Sequence, residues 1–100
     1  MDEALAEAAV DLSGRPYLVF EATFARPKAG DLHTDLVVEF FAAVANALGA
    51  NIHLCLIRGQ NTHHCIEALF KAFGRAFELA AAAHPRAAGE VPSTKGSLDP

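Results

Sequence analysis

The hydrophobic periodicity of this chain changes along its length, and the order of the changes limits the folds that the chain can adopt. Residues 4–12 and 17–24 place apolar side chains at every second position, which is typical of half-buried strands. Residues 34–48 and 61–83 instead repeat large apolar side chains at spacings of three and four, which indicates two helices. Residues 51–58 form a short apolar run between the helices, as expected for a well-buried strand. The predicted order is therefore ββαβα.

Local signals support these boundaries. An alanine-rich helix competes with the first strand because alanine favours helices, but the alternation favours the strand. Residues 13–16 read Ser-Gly-Arg-Pro, which predicts a turn, so we expect the first two strands to pair as an antiparallel hairpin. Thr34 or Asp35 is expected to cap the first helix, and Gly49 is expected to end it.

The predicted elements define the fold class. Two helices with one apolar side each must cover one face of a small mixed sheet, which gives an α+β two-layer sandwich. The chain of 100 residues corresponds to a single domain. So short a chain buries only about two-thirds of its unfolded surface, and its apolar segments exceed that capacity. We therefore expect an oligomer.

Composition restricts the partners. Eight Lys and Arg against twelve acidic residues give a formal net charge of −4, and no basic stripe is visible, so no nucleic-acid partner is expected. No membrane partner is expected either, because no stretch approaches the roughly 20 apolar residues of a span. The two cysteines make no disulfide framework, and the first residues lack the features of a signal peptide. We therefore expect a cytoplasmic protein.

The most informative local pattern is His63-His64-x-x-Glu67 at the start of the second predicted helix. Glu67 follows the histidines by four and three residues, so it is near both imidazoles on the helix surface. His63 and His64 diverge by about 100°, so one metal would bind both only with strain, whereas two metals or two subunits would use both. These donors suit Mn, Fe, Zn or Ni, and the carboxylate favours Mn. The alternative is a pair of surface histidines beside a glutamate.

Other polar residues are weaker candidates. Glu39 lies among apolar residues of the first helix, so it is either a paired or functional carboxylate or part of an exposed helix face. Lys71 follows Glu67 by one turn, Arg15 lies in the predicted turn, and residues 93–96 carry hydroxyls and an ammonium suited to phosphate. Taken individually, Lys71, Arg15 and residues 93–96 are more typical of solvated surface groups. The remaining histidines are His33 in the turn before the first helix, His53 in the buried strand, and His84 in a loop.

The motif Gly59-x-Asn61-x-His63-His64-x-x-Glu67-Ala68-x-Phe70-Lys71 resembles imidazoleglycerol-phosphate dehydratase, a family of histidine biosynthesis. Further segments resemble the same family in the same order: residues 11–18, Gly30-Asp31 with Thr34, Phe40-Phe41, and residues 91–96. The resemblance covers nearly the whole chain. It corresponds to the second half of the family's chain, which is built from two similar halves that each carry HHxxE. We therefore expect residues 1–100 to be one half-domain, either truncated, engineered or ancestral-like.

The resemblance also implies a site. His63, His64 and Glu67 would be catalytic residues and ligands of manganese, with two ions per site, and Glu39 stands where many members have a histidine ligand. The residues implied to hold the substrate phosphate are Arg15, Lys71, Ser93, Thr94 and Lys95. Residues 87–100 would form a flexible tail that closes over the site. Family members form large cubic shells with sites between subunits, so a large symmetric homo-oligomer is implied, and a separate first-half chain is a further candidate partner.

The implied reaction removes water from imidazole glycerol phosphate and gives imidazole acetol phosphate. Manganese would act as Lewis acid and template while a carboxylate moves the proton. One hypothesis is that half-chains assemble and complete each other's sites. A second is a catalytically silent, metal-binding and self-assembling half-domain that lacks first-half residues. A third, a generic HHxxE metalloprotein such as a hydrolase, fits the sequence outside the motif poorly.

Overall fold

The computed structural model describes residues 2–83 of the chain, and these form two helices and five strands. The elements are β1 (Leu5–Asp11), β2 (Tyr17–Glu21), β3 (Lys28–Ala29), β4 (Leu32–His33), α1 (Asp35–Leu48), β5 (Asn51–Arg58) and α2 (Thr62–Ala83). β1, β5 and β2 form a mixed sheet, and both helices pack against it. The predicted α+β sandwich is therefore confirmed, and α2 begins within one residue of its predicted start.

The predicted hairpin between the first two strands is wrong. β5 lies between β1 and β2, and it pairs antiparallel with β1 and parallel with β2. The connection between β1 and β2 instead crosses the beginning of β5, where the Gly14 N–H donates to the Gly49 carbonyl at 2.8 Å and the Tyr17 N–H to the Ala50 carbonyl at 3.1 Å. The physical reason is burial, because the central position goes to the strand with the most apolar side chains to cover, including Ile52 and Leu54 at 0% and 1% exposure.

The core lies between the sheet and the helices. Alternate residues of β1 are half-buried, as its period of two predicts. Phe41 of α1 is fully buried, and its ring centroid lies 4.8 Å from that of Phe70 and 5.3 Å from that of Phe73 on α2. These ring contacts connect the two helices above the sheet.

The boundaries of α1 show one correct and one incomplete prediction. Gly49 ends the helix with a positive φ of 62°, which glycine adopts without a steric penalty. Thr34 occupies the cap position, but its hydroxyl donates to the Pro27 carbonyl at 3.2 Å and not to the helix. That contact closes the short β3–β4 hairpin, which the sequence prediction missed and which places His33 in a strand and not in a turn.

Both outer faces of the described sandwich carry exposed apolar groups. On the helix layer, Leu36, Phe40 and Leu79 expose 48%, 46% and 73% of their surface. Within the described residues, no helix is both long and apolar enough to cross a membrane. Leu36 and Phe40 belong to an exposed apolar surface on α1, next to Phe70 of α2, whereas Leu79 lies on the side of α2 that faces β1.

Candidate functional site

The junction between β5 and α2 is built around Gly59. Its φ is 153°, and a Cβ there would lie 2.6 Å from the Cys65 Sγ and 3.0 Å from the Ala4 Cβ. Glycine therefore allows the residues before β1 to pack directly against the first turn of α2. Cys65 is buried in that contact, and burial raises the pKa of its thiol, so its role is packing.

Asn61 fixes the first turn of α2. Its side-chain Oδ1 accepts a hydrogen bond from the backbone N–H of His64 at 3.0 Å, and its carbonyl accepts one from the N–H of Cys65 at 2.9 Å. This is the geometry of a helix cap, in which a side chain binds a free amide of the first turn. The histidine pair is consequently presented from a well-defined helix start.

The predicted motif residues lie together, but they do not converge on one point. The Nε2 of His63 lies 4.0 Å from the Oε2 of Glu67, and the two histidine rings are 6.3 Å apart between centroids. The His63 side chain is 72% exposed, whereas that of His64 is 32% exposed. His63 and Glu67 therefore form one exposed donor pair, and His64 lies in a separate environment, as the predicted divergence of the two directions requires.

Glu3 is a residue in contact with the motif that the sequence analysis did not consider. Its Oε1 lies 2.8 Å from the Nδ1 of His64, and its Oε2 accepts hydrogen bonds from the backbone N–H groups of Asn61 and Gln60 at 2.9 and 3.2 Å. These donors lower the pKa of the Glu3 carboxyl from 4.5 to about 2, with the Asn61 N–H contributing most, then His64, then Gln60. Asp2 approaches the other side of the ring, with Oδ2 4.0 Å from the His64 Nε2.

The proximity of Glu3 to His64 could be inferred only from the correct strand pairing. β1 begins opposite the end of β5, with Leu5 paired to Arg58. A residue two positions before that pair must lie near the turn that leads into α2. The predicted hairpin placed β1 beside β2 and so concealed this proximity.

The donor set has the right chemistry for a divalent transition metal, but one chain offers only part of a coordination shell. Imidazole nitrogen and carboxylate oxygen suit Mn, Fe and Zn. Within residues 2–83, however, no three His, Cys, Asp or Glu side chains gather closely enough to hold an ion. Glu39 lies exposed on α1 and has no hydrogen bond or ion pair within this part of the chain. The remaining ligands of any such site would have to come from elsewhere.

The predicted phosphate-binding residues are distributed unevenly. Lys71 is exposed one turn after Glu67, and with Arg75 it lines a shallow groove between β1 and α2. Arg15 lies near the beginning of β5, whereas the histidines lie beyond its end. Eight residues of strand separate these ends by on the order of 20 Å. Ser93, Thr94 and Lys95 lie outside the described residues, as do His84 and the predicted tail 87–100.

The fold and the junction define a class, namely an α+β two-layer domain that gathers imidazole and carboxylate groups at the start of a helix. The sequence matches the family profile of imidazoleglycerol-phosphate dehydratase over residues 1–77. The chain belongs to the imidazoleglycerol-phosphate dehydratase family, which confirms the resemblance seen in the sequence.

Relatives and solved structures agree on this family. The imidazoleglycerol-phosphate dehydratase of Listeria welshimeri serovar 6b is 57% identical over 98 residues, which are 98% of this chain and 50% of the relative. The crystal structure of the enzyme from Staphylococcus aureus subsp. aureus N315 is 55% identical with a TM-score of 0.78, covering 80% of this chain and 47% of that one. The Pyrococcus furiosus structure, in complex with (S)-C348, is 38% identical with a TM-score of 0.73, covering 80% and 45%. The chain thus spans about half the length of these relatives.

Proposed function

We propose that this chain supplies His63, His64 and Glu67 to a manganese-dependent site that dehydrates imidazole glycerol phosphate to imidazole acetol phosphate in histidine biosynthesis. The observation that carries the proposal is the incomplete donor set at the start of α2 in a chain of this family. The motif offers imidazole and carboxylate groups, yet residues 2–83 contain no three-ligand cluster. A site completed by further chains reconciles both facts.

The residues have distinct roles in this proposal. His63, His64 and Glu67, with Glu39 of another copy, would hold two manganese ions per site, and these ions would supply Lewis-acid character. Loss of water requires removal of a proton from carbon and protonation of the departing hydroxyl. The Glu67 side chain is 41% exposed, so its carboxylate is accessible enough either to bind manganese or to move that proton.

The distance between Arg15 and the motif supports a site between chains. The two lie at opposite ends of β5, on the order of 20 Å apart. A five-membered ring with a three-carbon chain and a phosphate is shorter than this separation. The Arg15 guanidinium would therefore bind the phosphate in a neighbouring chain's site, whereas Lys71, one helical turn from Glu67, would bind it within its own chain. Ser93, Thr94 and Lys95 are proposed to contribute to the same phosphate site.

The helix layer supports assembly. Leu36, Phe40 and Phe70 expose 48%, 46% and 37% of their surface, and the ring centroids of Phe40 and Phe70 lie 5.3 Å apart across the two helices. An apolar surface shared by two helices is suited to bury itself against another copy, so we propose a large symmetric homo-oligomer. A separate first-half chain is the other candidate for this surface.

A cytoplasmic location is proposed from the cysteines. Cys55 and Cys65 are both free thiols in the structure. Unpaired thiols are the usual state in a reducing compartment.

The alternative is a catalytically silent, metal-binding half-domain that assembles without turnover. It is favoured by length, because the chain covers only about half of its relatives and carries one HHxxE motif. Groups that the full-length relatives supply from their other half would then be missing.

A dehydration assay with added Mn²⁺ separates the two functions. The purified chain is mixed with imidazole glycerol phosphate, imidazole acetol phosphate is measured, and the mass in solution is recorded in parallel. The proposal expects turnover that requires Mn²⁺ and is lost in His63→Ala. The matched control is His53→Ala, since His53 is exposed on the sheet face away from the helices and should leave turnover unchanged. A Mn²⁺-loaded assembly without turnover would establish the silent alternative.

A further inference from the structure

We propose that Glu3 is a positioning residue for His64, which it holds in the tautomer that carries its proton on Nδ1. The opposite ring nitrogen, Nε2, is then left with its lone pair free to bind a metal. The tautomer follows from the geometry alone, whereas the consequence for metal binding rests on the proposed function of the motif.

The first step is the fixed direction of the carboxylate. The Glu3 Oε2 accepts two hydrogen bonds from consecutive backbone N–H groups, those of Gln60 and Asn61. These contacts orient the carboxyl group, so that Oε1 faces the Nδ1 of His64 at 2.8 Å. An ionised carboxylate can only accept hydrogen bonds, so Nδ1 must be the donor.

The second step is the unequal environment of the two histidines. The His64 side chain is 32% exposed, its ring is bound by Glu3, and its backbone N–H is bound by Asn61. The His63 side chain is 72% exposed, and its contact with Glu67 is 4.0 Å long. His64 is therefore oriented in advance on the protein, whereas nothing in the described part of the chain fixes the His63 tautomer.

The third step concerns the opposite nitrogen. The Oδ2 of Asp2 lies 4.0 Å from the His64 Nε2, which is too long for a hydrogen bond. Within residues 2–83, Nε2 is thus left available for a ligand. A carboxylate that accepts a hydrogen bond from one imidazole nitrogen fixes the ring orientation and raises the basicity of the other nitrogen. Carboxylates that do not touch the metal support metal-binding histidines in this way.

The tautomer is measured directly by long-range ¹H–¹⁵N correlation spectra of the imidazole groups in the metal-free chain, at a pH where His64 is neutral. We expect the Nδ1–H form in the unmodified chain. Glu3→Gln should convert it to the Nε2–H form, because the amide oxygen can keep the backbone contacts while the amide NH₂ donates to Nδ1. Glu7→Gln is the matched control, since Glu7 is an exposed carboxylate four residues further along the chain, on β1, and its loss should leave His64 unchanged.

The affinity for Mn²⁺ alone, measured from the electron paramagnetic resonance signal of the free ion, is the second readout. Glu3→Gln should weaken binding by about 10- to 100-fold, and Glu7→Gln should not. An unchanged affinity in Glu3→Gln would overturn the role in metal binding, and an Nε2–H form in the unmodified chain would overturn the inference entirely. The spectrum of the unmodified chain tests the inferred tautomer even if Glu3→Gln does not fold. This measurement requires no turnover. A chain that shows the Nδ1–H form but does not dehydrate the substrate would therefore contradict only the proposed function.

Discussion

Gly59→Ala is the substitution for which the structure predicts the sharpest loss of stability. An alanine Cβ would lie 2.6 Å from the Cys65 Sγ, 3.0 Å from the Ala4 Cβ and 3.2 Å from the Ala4 Cα. The φ of 153° is itself unfavourable for a residue with a side chain.

The expected magnitude has two parts. The backbone strain costs about 1–3 kcal/mol, and overpacking in a tight contact typically costs a further 1–3 kcal/mol. We therefore expect the free energy of unfolding to fall by about 2–6 kcal/mol, out of the 5–15 kcal/mol that is usual for a domain. Adding Cys65→Ala should recover only part of the loss, because the contact with the Ala4 Cα involves backbone that cannot rotate away.

Urea denaturation followed by circular dichroism measures the effect. The matched control is Gly74→Ala, since Gly74 lies within α2 and a Cβ there would meet nothing within 4 Å. The free energy of unfolding of Gly74→Ala should rise by about 0.5–1 kcal/mol, because alanine has a higher helix propensity than glycine. If Gly59→Ala stays within about 0.5 kcal/mol of the unmodified chain, the described packing of residues 2–4 against α2 is refuted.

Three further predictions follow from burial, exposure and charge. Phe41→Ala should lower the free energy of unfolding by about 3–5 kcal/mol in thermal or urea unfolding, because Phe41 is fully buried; a loss under 1 kcal/mol would contradict the described core. Phe40→Asp should reduce the mass of the assembly in analytical ultracentrifugation and leave the circular dichroism spectrum unchanged, because Phe40 is 46% exposed on the helix layer. An unchanged mass would exclude this surface from the interface between copies. The folded pKa of Glu3, about 2, lies below the ordinary 4.5, so its contribution to stability should be present above pH 4.5 and disappear as the pH falls towards 2. The stability difference between the unmodified chain and Glu3→Gln should therefore shrink over that range, and a constant difference would contradict the carboxylate contacts.

The sequence predicted the long elements well because their periodicity is local information. Residues 61–83 were predicted as a helix, and α2 spans Thr62–Ala83. Residues 51–58 were predicted as a strand, and β5 occupies the same range. The β3–β4 hairpin was missed because each strand has two residues, which is too short for any alternation to appear.

The pairing of the strands could not be predicted from local sequence patterns. Strands that follow each other usually pair, but here the apolar β5 separates β1 from β2. The same error hid Glu3, whose contact with His64 spans 61 positions of sequence. The motif itself was found because its three residues are neighbours on one helix, whereas the residue that orients it arrives through the tertiary fold.

The sharing of one site between chains is tested most directly by mixing two variants. Arg15→Ala and Glu67→Ala chains are unfolded together, refolded as a mixture with Mn²⁺, and assayed for dehydration beside each variant and the unmodified chain. Because Arg15 and Glu67 would act from different copies, random assembly should restore up to about a quarter of the sites. We predict turnover in the mixture well above the sum of the two variants. A mixture no more active than that sum, with the refolded unmodified chain active, would contradict a site built between copies of this chain.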